Sequence, residues 1–328
     1  NFDQGNRVWL NDGSGNFTDS GQNLGANYST DVALGDLDGD GDLDAVVANR
    51  GQGNRVWLND GSGNFTDSGQ SLGDHKSTDV ALGDVDGDGD LDAVVANKSQ
   101  SNRVWLNDGS GNFTDSGQNL GDHNSEGIAL GDVDGDGDLD AVVANYSQGN
   151  RVWLNDGSGN FTDSGQNLGD HASYGVALGD LDGDGDLDAV VANKYQGNRV
   201  WLNDGSGNFT DSGQNLGDHF SRGIALGDVD GDGDLDAVVA NYGQGNRVWL
   251  NDGSGNFTDS GQNLGNHYTT RNGIALGDVD GDGDLDAVVA NGYPGEANRV
   301  WLNDGSGNFT DSGQNLGDHN STGVALGD

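Results

Sequence analysis

Hydrophobic residues in this chain come in short bursts that recur in a fixed order. Val-Ala-Leu-Gly-Asp (32–36) leads into an Asp/Gly run (36–44) and then Ala-Val-Val-Ala-Asn (45–49). After a short turn come Asn-Arg-Val-Trp-Leu-Asn-Asp (54–60), Gly-Ser-Gly-Asn (61–64) and Phe-Thr-Asp-Ser-Gly-Gln-Ser-Leu (65–72). Apolar bursts bounded by Gly, Asn and Asp predict four short strands joined by turns. Helix is excluded, because no window longer than a few residues escapes Gly or a turn former. Ala45 to Ala48 is apolar on both faces, as a strand sandwiched between neighbouring sheets should be. The fourth segment is mostly polar, which suits an outer edge.

The unit repeats along the whole chain. Arg-Val-Trp-Leu-Asn recurs at Arg7, Arg55, Arg103, Arg151, Arg199, Arg247 and Arg299, in steps of 48 residues five times and then 52. Asp-x-Asp-Gly-Asp-Gly-Asp-Leu-Asp begins at Asp36, Asp84, Asp132, Asp180, Asp228 and Asp278, and a truncated copy starts at Asp328. Four strands per unit and about seven units predict an all-β fold, a seven-bladed β-propeller of four-stranded antiparallel blades forming one domain over 1–328. A β-solenoid is the structural rival, but its repeats are usually much shorter. Asn1 aligns with Asn49, so the chain opens with the third and fourth strands of a blade and closes with a first strand, Val324 to Asp328. Seven units of 48 plus four inserted residues make 340, twelve more than the 328 present, and those twelve match Leu37 to Ala48. The expectation is six complete blades and one split between about 1–25 and 324–328. Its second strand would come from the flanks of a longer chain, or the closing blade is defective. No start Met or secretory signal is visible, so the chain is expected to be a trimmed piece of a longer product or assembly.

Composition narrows the chemistry. There are 13 Lys+Arg against 55 Asp+Glu, a formal charge of −42, and only Glu126 and Glu296 are Glu. Such a surface repels phosphate, which argues against nucleic acid. The absence of Cys excludes disulfides, thiolate zinc sites and thiol nucleophiles. No apolar run is long enough to span a bilayer, so membrane insertion is not expected. Acidity with 32% hydrophobic residues would suggest disorder, but the order of the residues overrules it.

The residues of the repeat, Gly-Asp-Leu-Asp-Gly-Asp-Gly-Asp-Leu-Asp-Ala-Val-Val-Ala-Asn (35–49) and Asn-Arg-Val-Trp-Leu-Asn-Asp-Gly-Ser-Gly-Asn-Phe-Thr-Asp (54–67), resemble the FG-GAP/VCBS-type repeat over essentially all 328 residues. These repeats are the bacterial relatives of the integrin α-subunit propeller blades. The resemblance implies a propeller with calcium in the loop between the first and second strands, usually on extracellular or cell-surface proteins. Ala48-Asn49 stands where Gly-Ala-Pro is usual, and the Phe-Gly before the first strand is altered. Integrin-like ligand binding therefore does not follow from the resemblance, although the blade does. Near-identical repeats also suggest recent amplification or deliberate design.

The Asp run carries its own chemistry. Asp36, Asp38 and Asp40 are alternate residues whose side chains converge if the loop curls, and Gly39 and Gly41 permit the curl. Asp44 closes the site from the second strand, and Asp42 offers its backbone carbonyl while its carboxylate stays in water. All-oxygen ligation on a flexible loop favours Ca²⁺ over Mg²⁺ and disfavours zinc. An EF-hand would need an acid at position twelve, which is Val47. The same five positions are Asp84, Asp86, Asp88, Asp90 and Asp92; Asp132, Asp134, Asp136, Asp138 and Asp140; and Asp180, Asp182, Asp184, Asp186 and Asp188. They recur as Asp228, Asp230, Asp232, Asp234 and Asp236, and as Asp278, Asp280, Asp282, Asp284 and Asp286. Six Ca²⁺ ions, one per complete blade, would bring −42 to −30. A solvated acidic turn without metal is the alternative, but five Asp within nine residues would then repel one another. Affinity is expected at roughly 10⁻⁴ to 10⁻³ M, with each ion tying the first strand to the second.

In a four-strand blade the 1–2 and 3–4 turns share one face, and the 2–3 turn and 4–1 crossover share the other. Differences between copies concentrate on the second face, in segments such as 50–53, 98–101, 194–197 and 74–79. That face is expected to carry all seven Tyr, Phe2, Phe220 and the cations Arg50, Lys76, Lys98, Lys194, Arg222 and Arg271. Such a surface suits a protein or glycan contact, and loop drift would give the same variation. His75, His123, His171, His219, His267 and His319 occupy equivalent crossover positions and are expected to hydrogen-bond adjacent backbone. The repeated Trp should pack between blades, with Arg7 and its equivalents stacking or pairing with acids. Asn-Phe-Thr, a glycosylation sequon from Asn16 and Asn64 onward, reads as turn chemistry in a bacterial protein.

No Gly-x-Ser-x-Gly elbow, phosphate loop or His-Glu-x-x-His occurs, so catalysis is not expected. Three functions remain: an extracellular calcium-stabilised adhesion or binding module, a structural scaffold, and a multivalent lectin with one sugar pocket per blade.

Overall fold

The computed structural model describes residues 5–266, 268–293 and 295–328, and of Arg271 the backbone. Six four-stranded antiparallel sheets follow one another, each with its strands in sequence order. In the first blade the strands are Ser29–Gly35, Asp44–Asn49, Arg55–Asn59 and Phe65–Asp67. The other five begin at Ser77, Ser125, Ser173, Ser221 and Thr269. The expected strand order holds, with two shifts of boundary. The first strand starts at Ser29, because Ser29 already pairs with Asn49 across a bulge. The fourth ends at Asp67, because beyond it only isolated bonds such as Leu72 N to Asn54 O (3.0 Å) remain.

The register explains the apolar pattern. Val46 pairs with Ala33 on one side and Val56 on the other, so the second strand is covered on both edges. Its six residues are all buried. Its faces meet the neighbouring blades: Val46, Val56 and Leu72 cluster with Val80, Ala93, Val95 and Trp105 of the next sheet. An aromatic of this size buries roughly 150–250 Å². At about 25 cal/mol per Å² that is about 4–6 kcal/mol per Trp, an upper figure because unfolded chains are already partly collapsed.

The first strands line the axis and are laced by hydroxyls. Thr30 Oγ1 donates to Ser77 O (3.0 Å) of the next blade, and Thr78 Oγ1 to Ser125 O (3.0 Å). Thr270 does the same to Ser321 O, and Thr322 to Ser29 O (2.7 Å), which joins the C-terminal segment to the first blade. At the rim, a Gln on the way out of each fourth strand latches the next blade. Gln70 Nε2 donates to Gly111 O, and Gln70 Oε1 accepts from Phe113 N. Gln314 repeats this with Gly15 and Phe17, closing the ring.

The seventh blade is split between the termini. Trp9–Asn11 pairs with Phe17–Asp19 as a two-stranded sheet. Residues 321–328 lie in the first-strand place, where Val324 and Leu326 pack with Trp9 and Phe17 against Val279 and Val300. The expected strand Val324 to Asp328 does not form as such: with no second strand beside it, the segment has no ladder partner.

Candidate metal loops and a variable face

Each 1–2 loop is a tight Asp/Gly coil. In the first, Gly39 and Gly41 take φ of +78° and +93°, a region that L side chains avoid. Their amides then point inward, and Asp36 accepts from Gly39 N (2.8 Å) and Gly41 N (3.1 Å). Carboxylate oxygens of Asp36, Asp38 and Asp40 come within 4.8 Å of one another, as do those of Asp132, Asp134 and Asp136. In three other blades the trio includes the second-strand residue: Asp84, Asp86 and Asp92; Asp180, Asp182 and Asp188; Asp228, Asp230 and Asp236.

Burial and mutual repulsion set the electrostatics. The Asp38 carboxyl is raised by burial first and by the Asp40 charge second, and Asp86, Asp134, Asp182 and Asp230 follow the same order. Burial pushes Asp92, Asp140, Asp188 and Asp236 up to about 6, against backbone hydrogen bonds that pull them down. One oxygen of each of Asp38, Asp86, Asp134 and Asp182 is buried without a hydrogen-bond partner. Crowded, desolvated, partner-poor oxygens form a donor set that fits a hard cation.

The predicted residues divide into three jobs. The first two aspartates of each of these five runs supply convergent oxygens, joined by the third in two blades and by the second-strand Asp in three. Asp44 does more than close the site, since its oxygens accept from Leu37 N (3.0 Å) and Asn59 N (2.7 Å). It clasps the loop to the third strand. Asp42 turns outward, its carboxylate lying against Gly61 of the 3–4 turn, where a Cβ would fall 2.4 Å from Oδ2. Asp90, Asp138, Asp186, Asp234 and Asp284 lie likewise against Gly109, Gly157, Gly205, Gly253 and Gly305. The 3–4 turn also caps itself: Asp60 accepts from Ser62 N (3.0 Å) and Asn64 Nδ2 (3.1 Å), so the sequon Asn is engaged in the turn.

The opposite face carries the differences between copies. Arg50 bridges to Lys76, Lys194 to Phe220 and Tyr242 to Tyr268, so the 2–3 turns and crossovers do lie together. From the third to the sixth blade the aromatics form one continuous arc. Tyr146, Tyr174, Phe220, Tyr242, Tyr268 and Tyr293 follow with centroid spacings of 4.9–5.4 Å, and Tyr195 joins at Phe220 (5.0 Å). Cations are set into the arc: Arg222 lies 4.4 Å from the Tyr242 centroid, and Lys194 lies 5.0 Å from that of Phe220. Lys194 Nζ donates to Tyr146 Oη (3.0 Å), which lowers the Tyr146 hydroxyl. Phe2, His267 and the Arg271 side chain lie outside the described residues.

One expectation needs correction. The histidines do not hydrogen-bond backbone through their rings among the described residues. His75 instead packs over Gly73 beside Trp105, and burial and Arg103 lower its basicity. Of the two alternatives for the repeated Arg, pairing with acids is the one found: Arg55 and Arg103 sit 3.9–4.0 Å from Asp67 and Asp115.

Sequence reasoning missed the inter-blade bonds of Asn107, whose Nδ2 donates to Leu37 O (2.8 Å) of the preceding loop. It also missed an axial acid pair. Asp79 is buried with its carboxyl raised well above the usual range by burial and then by Asp31, and it accepts from Asn272 Nδ2 (2.6 Å) across the axis. The signal was present: two copies carry Asp where Gly127, Gly175 and Gly223 stand in others.

Comparison with solved structures shows the same architecture at low identity. The lectin BP39L from Burkholderia pseudomallei is 13% identical, with TM-score 0.64, covering 97% of this chain and 98% of that one. A functionally unknown protein from Desulfotomaculum acetoxidans is 15% identical, with TM-score 0.65 and coverage of 92% and 90%. The computationally designed Ika8 protein is 17% identical, with TM-score 0.54 and coverage of 99% and 86%. No curated protein sequence matches the chain. The FG-GAP-like repeat matches seven times, over 1–47, 36–95, 84–143, 132–191, 180–239, 228–289 and 278–328. With every residue inside a match, the chain belongs to the family of FG-GAP-like repeat proteins.

Proposed function

We propose that this is a non-catalytic, extracellular propeller in which calcium stabilises each complete blade and the variable face binds a protein or glycan. The calcium reading rests on the recurrent trios of carboxylates, each with oxygens within 4.8 Å, and on the orphaned buried oxygens of Asp38, Asp86, Asp134 and Asp182. A divalent ion would supply the missing partner for those oxygens and reverse the repulsion. Asp36, Asp38 and Asp40 would hold it in the first blade, and Asp84, Asp86 and Asp92 in the second, where the second-strand Asp also positions the loop.

The ligand face rests on Tyr195. It has φ of +55° at a turn position where Gly51 and Gly243 sit, and it is 66% exposed. A non-Gly residue there costs about 1–2 kcal/mol, and although the small Ser99 takes the same conformation, Tyr195 sets a large ring there that rests on Phe220 yet stays mostly in solvent. Among the described residues the arc spans four blades and is not repeated in the others, which favours one extended contact over a sugar pocket in every blade. Calorimetry with CaCl₂ should give about six sites, and glycan and protein arrays should give binding that Tyr195→Gly removes without lowering Tm. Ligand-independent assembly into ordered polymers would favour the scaffold reading instead.

A further inference from the structure

Two lysines at equivalent turn positions of the variable face have opposite surroundings. Lys98 Nζ donates to the buried Glu126 carboxylate at 2.6 Å, an ordinary ion pair. Two repeats further along, the same two places hold Lys194 and Arg222, so a second cation stands where the acid would be. Both lie over Phe220, Lys194 Nζ at 5.0 Å and Arg222 Cζ at 4.8 Å from its centroid. The rings of Tyr146 (5.2 Å) and Tyr195 (5.7 Å) complete the surroundings of Lys194. Its ammonium donates to Tyr146 Oη, a bond that raises its basicity and keeps it charged. Among the described residues Lys194 has no ion pair with a carboxylate. In a chain with 55 Asp+Glu against 13 Lys+Arg, that is no shortage of acids. Like charges gathered at one ring repel, and an anion beside them would turn the repulsion into attraction.

The next two residues of the same turn are also uncommitted. Gln52, Gln100, Gln148 and Gln244 each accept a crossover amide through Oε1, those of Tyr28, Lys76, Asn124 and Phe220. Gln196 holds the same place in the fourth blade, yet among the described residues its side chain makes no such bond, and it is exposed. Between Lys194 and Gln196, Tyr195 turns its ring outward, resting on Phe220 at a centroid spacing of 5.0 Å. An ammonium, an outward aromatic ring and a spare amide therefore meet on residues 194–196. This turn joins the two inner strands of its sheet, so it offers no open sheet edge to a peptide strand.

We propose that this turn is a subsite for an acidic sugar, a pyranose unit bearing one carboxylate, and that the ligand of the variable face is a glycan containing uronic acid. The inference rests on the reading that this face binds a ligand. The carboxylate accepts from Lys194 Nζ, in a charge-assisted hydrogen bond that the aromatic walls strengthen by keeping water away. The C–H face of the sugar lies on the Tyr195 ring, whose face carries partial negative charge and attracts polarised C–H groups. Gln196 supplies an NH₂ donor and a carbonyl acceptor for the sugar hydroxyls. A net charge of −42 opposes any densely charged chain, so one carboxylate per sugar fits better than clustered sulfates or phosphates.

The test titrates the 328-residue chain by calorimetry in CaCl₂ with three probes. These are trigalacturonate, the same trisaccharide reduced to its neutral form, and a short oligoglutamate. Trigalacturonate should bind more tightly than the neutral trisaccharide by about tenfold or more, the size of a hydrogen bond to a charged group. Added salt should shrink that preference, because it screens the Lys194 contact. Lys194→Met should remove the preference at an unchanged Tm, Lys194→Arg should keep it, and Tyr195→Gly should weaken both sugars alike. Equal binding of the acidic and neutral forms, tighter binding of oligoglutamate, or a preference that survives Lys194→Met overturns the proposal. Array binding of a neutral glycan or a protein, lost in Tyr195→Gly but kept in Lys194→Met, overturns the acidic sugar and leaves the ligand face standing. No binding to arrays or to either trisaccharide overturns both.

Discussion

The second-strand aspartates make a prediction whose sign differs with and without calcium. Asp92, Asp140, Asp188 and Asp236 are pushed from 3.8 to about 6 by burial. An acid whose folded value is raised takes up protons on folding, so its contribution is fully present below pH 3.8 and lost as pH rises through about 6. At about 1.4 kcal/mol per pH unit, a displacement from 3.8 to 6 corresponds to on the order of 3 kcal/mol at most for each group. Four groups together reach a size comparable with the whole stability of a domain, about 5–15 kcal/mol. Calcium-free protein should therefore unfold at lower urea concentration at pH 7.5 than at pH 5. A bound divalent ion needs these carboxylates ionised, so in 5 mM calcium (about five to fifty times the expected dissociation constant) the order should reverse. Urea melts in chelator-treated buffer from pH 4.5 to 8, with and without CaCl₂, measure both slopes. A calcium-free midpoint that is flat or rises between pH 5 and 7.5 would refute the electrostatic argument, and identical curves in calcium would refute the metal.

Three other outcomes follow from the contacts. Gln118→Ala removes the bonds to Gly159 O and Phe161 N and should cost about 1–3 kcal/mol in denaturant melts, whatever the calcium concentration. Asp79→Asn should raise stability at pH 7.5 and change little near pH 4, because it removes a buried charge that Asp31 and burial both oppose; an equal loss at both pH values would count against that pair. Arg222→Ala should weaken binding of any ligand of the variable face while leaving calcium stoichiometry unchanged, since Arg222 lies over Tyr174, Phe220 and Tyr242, on the face opposite the loops.

The fold was largely legible because its determinants are local and repeated. Gly/Asn/Asp turns delimit the strands, and the run Ala45 to Ala48, apolar on both faces, is the strand buried on both sides. The acidic trios were legible for the same reason, as spacing within nine residues fixes them. What the sequence hid were contacts between residues far apart in the chain. Gln70 looks like one more polar residue at the rim until the ring places Gly111 and Phe113 beside it. Asp79 meets Asn272 across 193 positions, a pairing that no local period encodes. The His rings were misread because a conserved-looking polar residue suggests a hydrogen bond, whereas here the neighbouring surfaces are glycine and Trp. The closing strand failed to form because strand propensity without a ladder partner leaves backbone groups unpaired.

Separation of the two faces has a physical consequence. Asn107 ties its blade to the Leu37 carbonyl of the preceding one, and Asp92 clasps the third strand of its own blade at Asn107 N (2.8 Å), both on the loop face. Substitution at Tyr195 touches neither bond, so variation there is nearly uncoupled from the stability set on the loop face. Distant sites with no shared partners add independently in free energy. The axis is the exception. Glu126 is fully buried yet receives Lys98 Nζ at 2.6 Å from the variable face, and Asp79 sits one blade away. A ligand that drew Lys98 toward itself would lengthen that 2.6 Å contact, so through this ion pair the variable face can act on the packing at the centre of the ring.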